Sequence, residues 1–562
     1  MKSISKSRVL GIIAAVVITA LLFWFSLPPI NLRSPEFWTF VIEVLVVFLV
    51  CLSFSGIFDR VRGKAPANTE GRVVSIGGNN VQLPHLSLPK ATVTRVLFFC
   101  ILGVIALMII ASIIGSTLFN AGTYKGLIER QDGNFADDIA ELDRGQIPVV
   151  DRDTAIQLGR RKLGEMGATS DLVSQFEISN EYYTQINYKG KPVRVTPLEY
   201  ADIIKWFNNQ SEGIPAYVRV DMVSQETELV RLDQAMKYAP GEYFMRDLKR
   251  HLRFNHPTKI FDDSYSFETD ENGTPYWVAS TIRYRVGLWS APDVEGAVLV
   301  NAITGEDAYY PVDQIPTWVD RVYHADLIIQ QLNWNGRFQK GFWNSYFGQS
   351  GVLSTTDGYN YIANNDDVFL YTGMTSVTSD QSNVGFVLVN MRTKETKFYP
   401  VSGATENSAM GSAQGQVQDL GYQATFPLLL NIQNRPTYFM SLKDGAGMIK
   451  MYAYVDVNRY QIVGTGASIE AAEANYRQAL ASSGEAGETG SQTSEEVSGK
   501  IAEIHASVRD GNTRYSFKLE GGEPIYVASI ALSEKLPFLK AGDEIAFTCS
   551  SEGDVRTVME IR

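Results

Sequence analysis

The chain has very little cysteine, and only one of its three cysteines lies in the long C-terminal part. Cys51 and Cys100 lie within apolar runs, so Cys549 is the one thiol after residue 122. A disulfide within that part is therefore excluded, and so is a zinc site of the CxxC type. Low cysteine content is compatible with a location outside the cytoplasm and does not by itself establish one.

Histidine is also scarce, and the common catalytic motifs are missing. The chain has five histidines, and the HExxH, GxSxG, GxGxxG and Walker patterns do not occur in it. His251 and His256 are five positions apart, whereas side chains that stack on one helical face are three or four apart. We therefore predict no catalytic residues, no metal site and no cofactor.

Positive charge is the third scarcity. The net charge is -12, because 62 Asp and Glu residues outnumber 50 Lys and Arg residues. A protein that binds nucleic acid needs a basic surface to neutralise phosphates. We therefore predict no nucleic-acid partner.

Long apolar segments are what the N-terminal region has instead. Val96 to Leu118 runs 23 residues without a charge, and such a helix is about 34 Å long, enough to cross a bilayer core of about 30 Å. Segments 9–27 and 37–58 are predicted as two further spans, which makes residues 1–122 a transmembrane region. For the first segment, a cleaved signal peptide is the alternative.

Two features within these spans suggest more than anchoring. Glu43 near the start of the second span is a candidate functional carboxylate inside the membrane. The alternative is that its side chain reaches the interface or a neighbouring helix. Ala111 and Gly115 form a pair of small residues four apart, a spacing that lets helices pack closely.

The basic residues of the short loops predict the orientation. Lys2, Lys6 and Arg8 precede the first span, and the loop 59–95 carries six more basic residues, against only Arg33 between the first two spans. Cytoplasmic loops are enriched in Lys and Arg, so the N-terminus and the loop 59–95 are predicted to be cytoplasmic. Everything after Asn120 is then extracytoplasmic. Within the loop, residues 77–80 are predicted to turn a small hairpin.

The tail contains an internal repeat. VLVNAITGEDAYYPV, which starts at Val298, recurs as VLVNMRTKETKFYPV, which starts 89 positions later at Val387. Two degenerate copies place Asp221 and Asp456 where the first copy has Asn301. Each copy predicts a strand, a turn held by the Asn or Asp side chain, and a second strand. Repetition of one such unit indicates duplicated α+β modules.

Helices are predicted before some of these hairpins, and composition divides the rest of the tail. The predicted helices cover residues 154–166, 235–253, 319–332 and 404–420. The predicted divisions are a connector (123–152), three modules (153–260, 261–350 and 351–480), a flexible Gly/Ser/Glu linker (481–498) and a small all-β barrel of OB type (499–562).

The combination of a short helix and a meander that ends in Val300-Asn301-Ala302-Ile303-Thr304-Gly305-Glu306 resembles the PepSY domain family. The helix at Thr154 to Met166 carries the other half of this resemblance. The chain departs from the family pattern where Lys394 replaces the turn glycine and where a long insertion follows Pro316. The resemblance implies an extracytoplasmic interaction module, in some members one that regulates proteases or acts in envelope assembly, and it implies no catalytic residues. Three spans followed by this tail also resemble membrane proteins of Gram-positive bacteria.

The insertion after Pro316 is the predicted binding surface. It is rich in aromatic residues beside Asn, Gln and Gly, as glycan and peptide grooves are. The alternative is that these aromatics form the core beneath a long insertion. The candidate binding residues are Trp334, Arg337, Phe338, Lys340, Trp343 and Tyr346.

Acidic runs are the remaining candidates for ligand binding. Asp262-Asp263, the run 364–367 and a segment that begins at Glu268 like a calcium loop bring oxygen ligands together. Position twelve of that loop is Ala279, so turn residues are the simpler explanation of these runs.

These observations favour a non-catalytic, membrane-anchored binding, scaffold or regulatory protein of the cell envelope. Its expected partners are the lipid bilayer and either envelope proteins or wall components. One alternative is a wall-hydrolase-like enzyme that uses the aromatic insertion as a groove and Asp366 or Asp367 as its carboxylate. A second alternative is a transport or signalling subunit that acts through Glu43.

Overall fold

The fold is mixed α/β: three long apolar helices are followed by several antiparallel sheets. This confirms the prediction that the chain combines helices and antiparallel sheets. A computed structural model describes residues 6–61, 73–76, 79–82, 92–139, 141, 146–166, 172–364, 367–376, 379–483, 494–509, 512–529, 532–533, 535–550 and 555–561.

Three N-terminal helices are long and apolar enough to cross a membrane: α1 (Lys6–Ser26), α2 (Pro35–Val61) and α3 (Thr92–Ile114). The candidate spans within them are Val9–Ser26, Pro35–Phe54 and Val93–Ile114. Helix α2 packs between α1 and α3. The prediction of three membrane-crossing helices is confirmed in this sense.

The third helix ends earlier than predicted. It stops at Ile114, and a separate helix, α4 (Thr117–Lys125), begins after Ser116. The hydroxyl of the buried Tyr124 donates a hydrogen bond to the carbonyl of Gly115 at 2.8 Å, which satisfies a carbonyl that the interrupted helix leaves free. The apolar run therefore continues past the helix end into a short helix beside it.

The loop between α2 and α3 contains the predicted hairpin. Strands β1 (Val73–Ile76) and β2 (Asn79–Gln82) pair antiparallel, with Ile76 opposite Asn79. Gly77 and Gly78, which the prediction places in the turn, lie outside the described residues.

The first two sheets of the tail follow helix α6 (Arg152–Met166), which matches the helix predicted there. In the first sheet the strand order is β4-β6-β7-β8, with β5 beside β6; in the second it is β12-β11-β10-β9. Their elements are α7 (Leu172–Gln175), β4 (Phe176–Ile178), β5 (Thr184–Tyr188), β6 (Lys191–Tyr200), α8 (Ile203–Asn209), β7 (Ile214–Asp221), β8 (Thr227–Met236), α9 (Leu248–Asn255), β9 (Phe261–Thr269), β10 (Pro275–Val286), β11 (Ser290–Asn301) and β12 (Asp307–Pro311).

The third and fourth sheets follow. The third has the order β13-β15-β16-β17-β3, with β14 beside β15 and β18 beside β16, and β3 joins it from the connector, parallel to β17. The fourth has the order β19-β21-β22-β23, with β20 beside β21. Their elements are β3 (Arg130–Asp132), α5 (Phe135–Asp138), α10 (Ala325–Arg337), α11 (Gly341–Trp343), β13 (Leu353–Thr355), β14 (Asn360–Asn364), β15 (Asp367–Ser376), β16 (Ser379–Asn390), β17 (Thr396–Tyr399), β18 (Gly403–Ala404), α12 (Glu406–Gln416), β19 (Gln423–Ala424), β20 (Leu428–Ile432), β21 (Arg435–Lys443), β22 (Ile449–Asp456), β23 (Val463–Gly466) and α13 (Ile469–Ser482).

Each of these four sheets contains one copy of the repeat, and the copies share one turn. In the second sheet, Asn301 Oδ1 accepts hydrogen bonds from the backbone N–H groups of residues 303 and 304 at 2.9 and 3.0 Å. Asn390 and Asp221 do the same with the residues two and three positions on. Asp456 accepts from the N–H three positions on, at 2.7 Å. The Asn or Asp at the strand end therefore holds every turn, as the sequence pattern predicts.

The fourth residue after the Asn or Asp adopts a left-handed backbone in three of the copies. Its φ is 77° at Gly305, 64° at Gln225 and 66° at Lys394. Only glycine adopts this conformation without a steric cost. Lys394 therefore replaces the turn glycine but keeps the same left-handed backbone, so the turn itself is unchanged.

A second contact recurs next to each turn and ties the sheet to the chain that leads into a helix. The carbonyl of residue 302 accepts from the N–H groups of residues 237 and 238, and that of residue 391 from residues 322 and 323. Residue 222 accepts likewise from residues 149 and 150, and residue 457 from residue 404. The repeated unit thus comprises the hairpin and the segment that enters the helix beside it.

The two asparagines of the repeat differ in one contact, which gives a matched test. The Asn390 amide donates to Asp367 at 2.8 Å, and Arg392 pairs with the same carboxylate. Asn301 has no such carboxylate partner among the described residues. We expect Asn390→Asp to lower the free energy of unfolding by about 1–3 kcal/mol, because it puts two carboxylates in contact. Asn301→Asp should change it by less than about 0.5 kcal/mol, because Asp221 fills the equivalent place.

Urea unfolding of the detergent-solubilised full chain measures both variants. Equal losses in Asn390→Asp and Asn301→Asp would contradict the assigned role of the Asp367 contact.

The predicted helix over 235–253 is wrong in its first half. Residues 235 and 236 complete β8, where Met236 lies opposite Ile214, and α9 begins only at Leu248. Pro240 and Gly241 separate the two elements, and both residues disfavour a helix. The other predicted helices shift: α10 covers Ala325–Arg337, and α12 covers Glu406–Gln416.

A small barrel ends the described chain. Its five strands close in the order β24-β25-β26-β28-β27. They are β24 (Ser494–Arg509), β25 (Asn512–Leu519), β26 (Ile525–Ser529), β27 (Glu544–Ser550) and β28 (Val555–Ile561). The predicted linker 481–498 falls mostly outside the described residues, and its last residues belong to β24.

The four sheets share their hydrophobic core, whereas the barrel has one of its own. One cluster of buried side chains runs from Phe135 to Leu480 and includes residues of all four sheets. A second cluster packs α10 between the second and third sheets. The barrel core, around Phe517 and Phe547, is separate. The sequence divides this part of the tail into three modules, and the boundaries of these modules stay a prediction.

Candidate binding cleft

A cleft of about 690 Å³ lies in the aromatic insertion. Its walls are helix α10, the single π-helical turn Asn344–Gly348 and the segment 352–359 that contains β13. From α10 it is lined by Asp326, Ile329, Asn333 and Arg337, whose spacing of three and four residues puts them on one helical face. The opposite face of α10 is buried.

Two contacts fix the wall between α10 and β13. Gly336 lies so close to the carbonyl of Leu353 that a β-carbon would overlap it, so glycine lets the strand cross the helix here. Asn333 accepts from the N–H of Thr355 at 2.8 Å and donates to its hydroxyl oxygen at 3.1 Å. The cleft is therefore built on packed elements and not on a free loop.

The charged groups of the cleft are exposed. Asp326 lies at the N-terminal end of α10, Asp357 lies on the opposite wall, and Arg337 occupies the last turn of the helix. The Arg337 guanidinium lies 4.7 Å from the centre of the Tyr346 ring and makes no ion pair among the described residues. Ile329, Val352 and Tyr359 add apolar surface. The lining thus suits a ligand that has polar groups on an otherwise flat or extended body.

The six predicted binding residues divide into packed and exposed ones. Trp334 packs edge-on against Tyr124 of α4, with 4.7 Å between ring centres, and Phe338 is buried. Lys340 donates to the Ser350 hydroxyl at 2.7 Å. Trp343 and Tyr346 are exposed, and Tyr346 lies beside Arg337. Some aromatics of the insertion therefore form core and others form surface, and the binding role of these residues stays a prediction.

Helix α9 and strand β12 form a polar cluster that the sequence does not predict. The Asp307 carboxylate contacts Nε2 of His251 at 3.0 Å and Nε2 of His256 at 2.6 Å, and Asn255 donates to it. Burial raises the pKa of Asp307, but the hydrogen bonds from Asn255 and His256 outweigh that effect, so its pKa lies below the usual range. The sheet brings Asp307 to the two histidines, so helical spacing alone could not reveal the cluster.

The acidic runs have structural roles where they are described. Asp270 accepts backbone N–H bonds from residues 272 and 274 and closes a turn, and Glu268 is fully buried in β9. Asp367 is held by Arg392 and Asn390, and Asp366 lies outside the described residues. Within the described part of the chain, no group of three or more His, Cys, Asp or Glu side chains could hold a metal ion.

Glu43 lies on an exposed face of α2. Its function stays a prediction.

No protein-family model matches the chain, and no curated protein does. Among solved structures, the chain is similar to a crystal structure of an ACO/RPE65 chimera, with 8% identity over 68% of this chain and a TM-score of 0.13. The chain spans 65% of the length of that structure. At this TM-score the likeness carries no argument about fold or function.

Proposed function

We propose that this protein is a membrane-anchored, non-catalytic binding or scaffold protein of the cell envelope, and that the cleft along α10 is its ligand site. The single observation that carries the proposal is the cleft itself. It is a built cavity with exposed carboxylates in its lining and, at one end, an exposed Arg337 that makes no ion pair within the described part of the chain. The tail lies outside the cytoplasm in this proposal, because the basic residues flank the other ends of the spans.

The repeated unit supports a PepSY-like origin for the four sheets. In each one, an Asn or Asp side chain holds the hairpin turn and the next residue's carbonyl binds the segment that leads to a helix. Duplicated units of this kind provide a rigid support for one specialised copy. The copy that follows α10 carries the cleft, so the other copies serve as the support.

The barrel supports an OB-like assignment. Its first three strands pair in sequence, and its last strand lies between the third and the fourth, parallel to the third. An OB fold is a five-stranded Greek-key barrel, and this strand order is compatible with it. A barrel of this type does not fix a ligand, and a spacer or protein-contact role agrees with the low positive charge of the chain.

Wall fragments are the ligand class that fits the cleft best. Disaccharide peptides combine flat sugar faces, amide groups and free carboxylates, and Arg337 is placed to bind a carboxylate. We expect the full chain in nanodiscs to bind soluble muropeptides, and Arg337→Ala to weaken this binding at least about tenfold, which is the usual cost of losing a charged hydrogen bond.

Isothermal titration measures this affinity, and Arg161→Ala is the matched control, because Arg161 is an exposed helical arginine that pairs with Glu165 in its own helix. Equal binding by wild type and Arg337→Ala would reject the cleft as the site. Absence of binding by the wild type would reject muropeptides as the ligand.

A further inference from the structure

Six apolar side chains are exposed together on helix α8 and on the segment just before α9. This α8 patch consists of Ile203, Ile204, Phe207, Tyr243, Phe244 and Met245. Ile204 is 66% exposed and Phe244 is 59% exposed. Exposed apolar patches of this kind on a soluble surface mark contacts with a protein or a membrane.

The α8 patch is rigid. Beneath it lies Trp206, which is buried and contacts the rings of Phe207, Tyr243 and Phe244 at 4.9 to 5.9 Å between centres. The indole N–H of Trp206 donates to the buried Glu242 carboxylate at 2.7 Å. The apolar side chains are therefore held outward by a packed base.

One arginine fixes the position of the α8 patch relative to the first span. Arg250 donates to the carbonyl of Phe244 at 2.7 Å and to the carbonyl of Trp24 at 3.3 Å, and its guanidinium lies 4.4 Å from the centre of the Trp24 ring. Trp24 belongs to the last turn of α1, where the candidate span ends at Ser26. The patch is thus one side chain away from the end of a membrane span.

A second exposed apolar patch lies beside the end of the third span. This α11 patch consists of Leu118 and Phe119 of α4 with Trp343, Tyr346 and Phe347. Phe347 is 80% exposed and Trp343 is 65% exposed. Helix α4 begins three residues after α3 ends and packs against α10 and α11, so this patch also lies next to a span end.

The tail touches the span ends between the two patches as well. Gly115 lies so close to Ser290, the first residue of β11, that a β-carbon would overlap it. The indole N–H of Trp289 approaches the Ser112 hydroxyl at 3.4 Å. The small residue at 115 therefore allows a close contact with the tail, and the helix packing that its spacing to Ala111 predicts stays a prediction. One face of the tail follows the ends of the spans.

We propose that the α8 patch and the α11 patch insert into the membrane interface at the level where α1 and α3 end, so that the tail rests on the bilayer. This inference depends on the proposed membrane anchoring. Lipid is the occupant that continuity with the spans favours, since both patches adjoin span ends. Trp, Tyr and Phe are enriched at this depth, and basic residues such as Arg246 and Lys340 next to the patches suit lipid phosphates.

Spin labels on the full chain in nanodiscs test the proposal. Phe244→Cys and Phe347→Cys are labelled one at a time after the three native cysteines are changed to serine. We expect each label to be at least threefold more accessible to oxygen, relative to a water-soluble nickel reagent, than a label at Phe538→Cys. Phe538 is a matched control, because it is 78% exposed in the barrel and makes none of the contacts with the spans.

A separate variant keeps Cys100, which is exposed on α3, and has only Cys51 and Cys549 changed to serine; a label on Cys100 in this variant reports membrane insertion itself. If this label lies in lipid while those at 244 and 347 match the control at 538, the patches are not membrane-bound and the proposal fails, although anchoring stands. If the Cys100 label is accessible to the nickel reagent, anchoring fails too. If the labels at 244 and 347 are shielded from both reagents and their spectra are broadened by the label of a second copy, the patches form a dimer contact. This result would overturn the proposal.

Discussion

Replacing Gly464 with alanine is expected to separate helix α13 from the fourth sheet. Gly464 lies in β23, and a β-carbon there would overlap the backbone N and Cα atoms of Tyr476. Backbone atoms cannot rotate away as a side-chain tip can, so the helix has to move. We expect a loss of about 3 kcal/mol in the free energy that protects this region, at the upper end of the cost of overpacking.

The displacement would also break a buried polar contact. The Tyr476 hydroxyl donates to Asp456 at 3.2 Å and lies 3.0 Å from the Thr437 hydroxyl. Asp456 is the residue that holds the turn in the fourth copy of the repeat. Movement of the helix therefore weakens the turn and the sheet together.

Hydrogen exchange of peptides that cover residues 449–482 measures this effect in the full chain. Gly411→Ala is the matched control, because Gly411 is exposed in the middle of α12 and a β-carbon there meets nothing within 4 Å. Alanine at that position should stabilise the helix by about 1 kcal/mol. If Gly464→Ala exchanges as slowly as the wild type, the close contact between β23 and α13 is wrong.

The three long apolar helices and the repeated turn could be predicted because their signals are local. A long run without charges predicts a membrane-spanning helix. An Asn or Asp at a strand end predicts a turn, because its side chain can accept hydrogen bonds from the backbone N–H groups two and three residues on. The copies at Asn301 and Asn390 therefore have the same hydrogen bonds although the turn glycine is kept in only one of them.

The aromatic insertion could be predicted only as a region. Its helix follows from apolar periodicity, but the division between core and surface depends on an element about 200 residues earlier in the chain. Trp334 is covered because Tyr124 packs against it. Trp343 contacts the rings of Phe342 and Phe347 in its own segment and stays exposed. Sequence spacing within the insertion does not contain this information.

Long-range strand pairing also explains why Glu268, which the sequence pattern marks as a candidate calcium ligand, is instead buried in the structure. Its spacing to Asp270 and Asn272 imitates a metal loop, whereas in the structure β9 turns its side chain into the protein interior. There it accepts hydrogen bonds from the segment before α10, and Asp320 of that segment accepts one from the Asn187 N–H of the first sheet. The side chain is therefore a buried acid at the junction of three parts of the tail.

We expect this buried acid to make the protein less stable as the pH rises toward 8. Glu268 Oε2 accepts from the N–H of Asp320 at 2.8 Å, and Oε1 accepts from the N–H of Arg321 at 3.0 Å. Burial raises the pKa of Glu268 to about 7, and these two N–H groups and the Arg321 charge oppose that rise only in part. Burial and the nearby Glu268 charge also raise the pKa of Asp320.

The direction follows from linkage. Since the folded-state pKa of Glu268 is raised above its value in the unfolded chain, folding favours the protonated acid. The stabilisation is fully present below pH 4.5 and is lost as the pH rises through about 7. A rise of this size corresponds to about 3 kcal/mol between the two ends of the window. Glu268→Gln, which stays neutral, should therefore be more stable than the wild type at pH 8 and about equal to it at pH 4.5.

Thermal unfolding of the full chain between pH 4.5 and 8 separates this explanation from a general effect of net charge. Glu226→Gln removes one negative charge from an exposed position and should leave the slope of stability against pH unchanged. If Glu268→Gln lowers the midpoint at pH 8 as much as at pH 4.5, the two backbone N–H groups and Arg321 hold the carboxylate ionised. The Glu268 carboxylate at this junction would then be ionised and stable at neutral pH, because the N–H groups offset the free-energy cost of burying its charge.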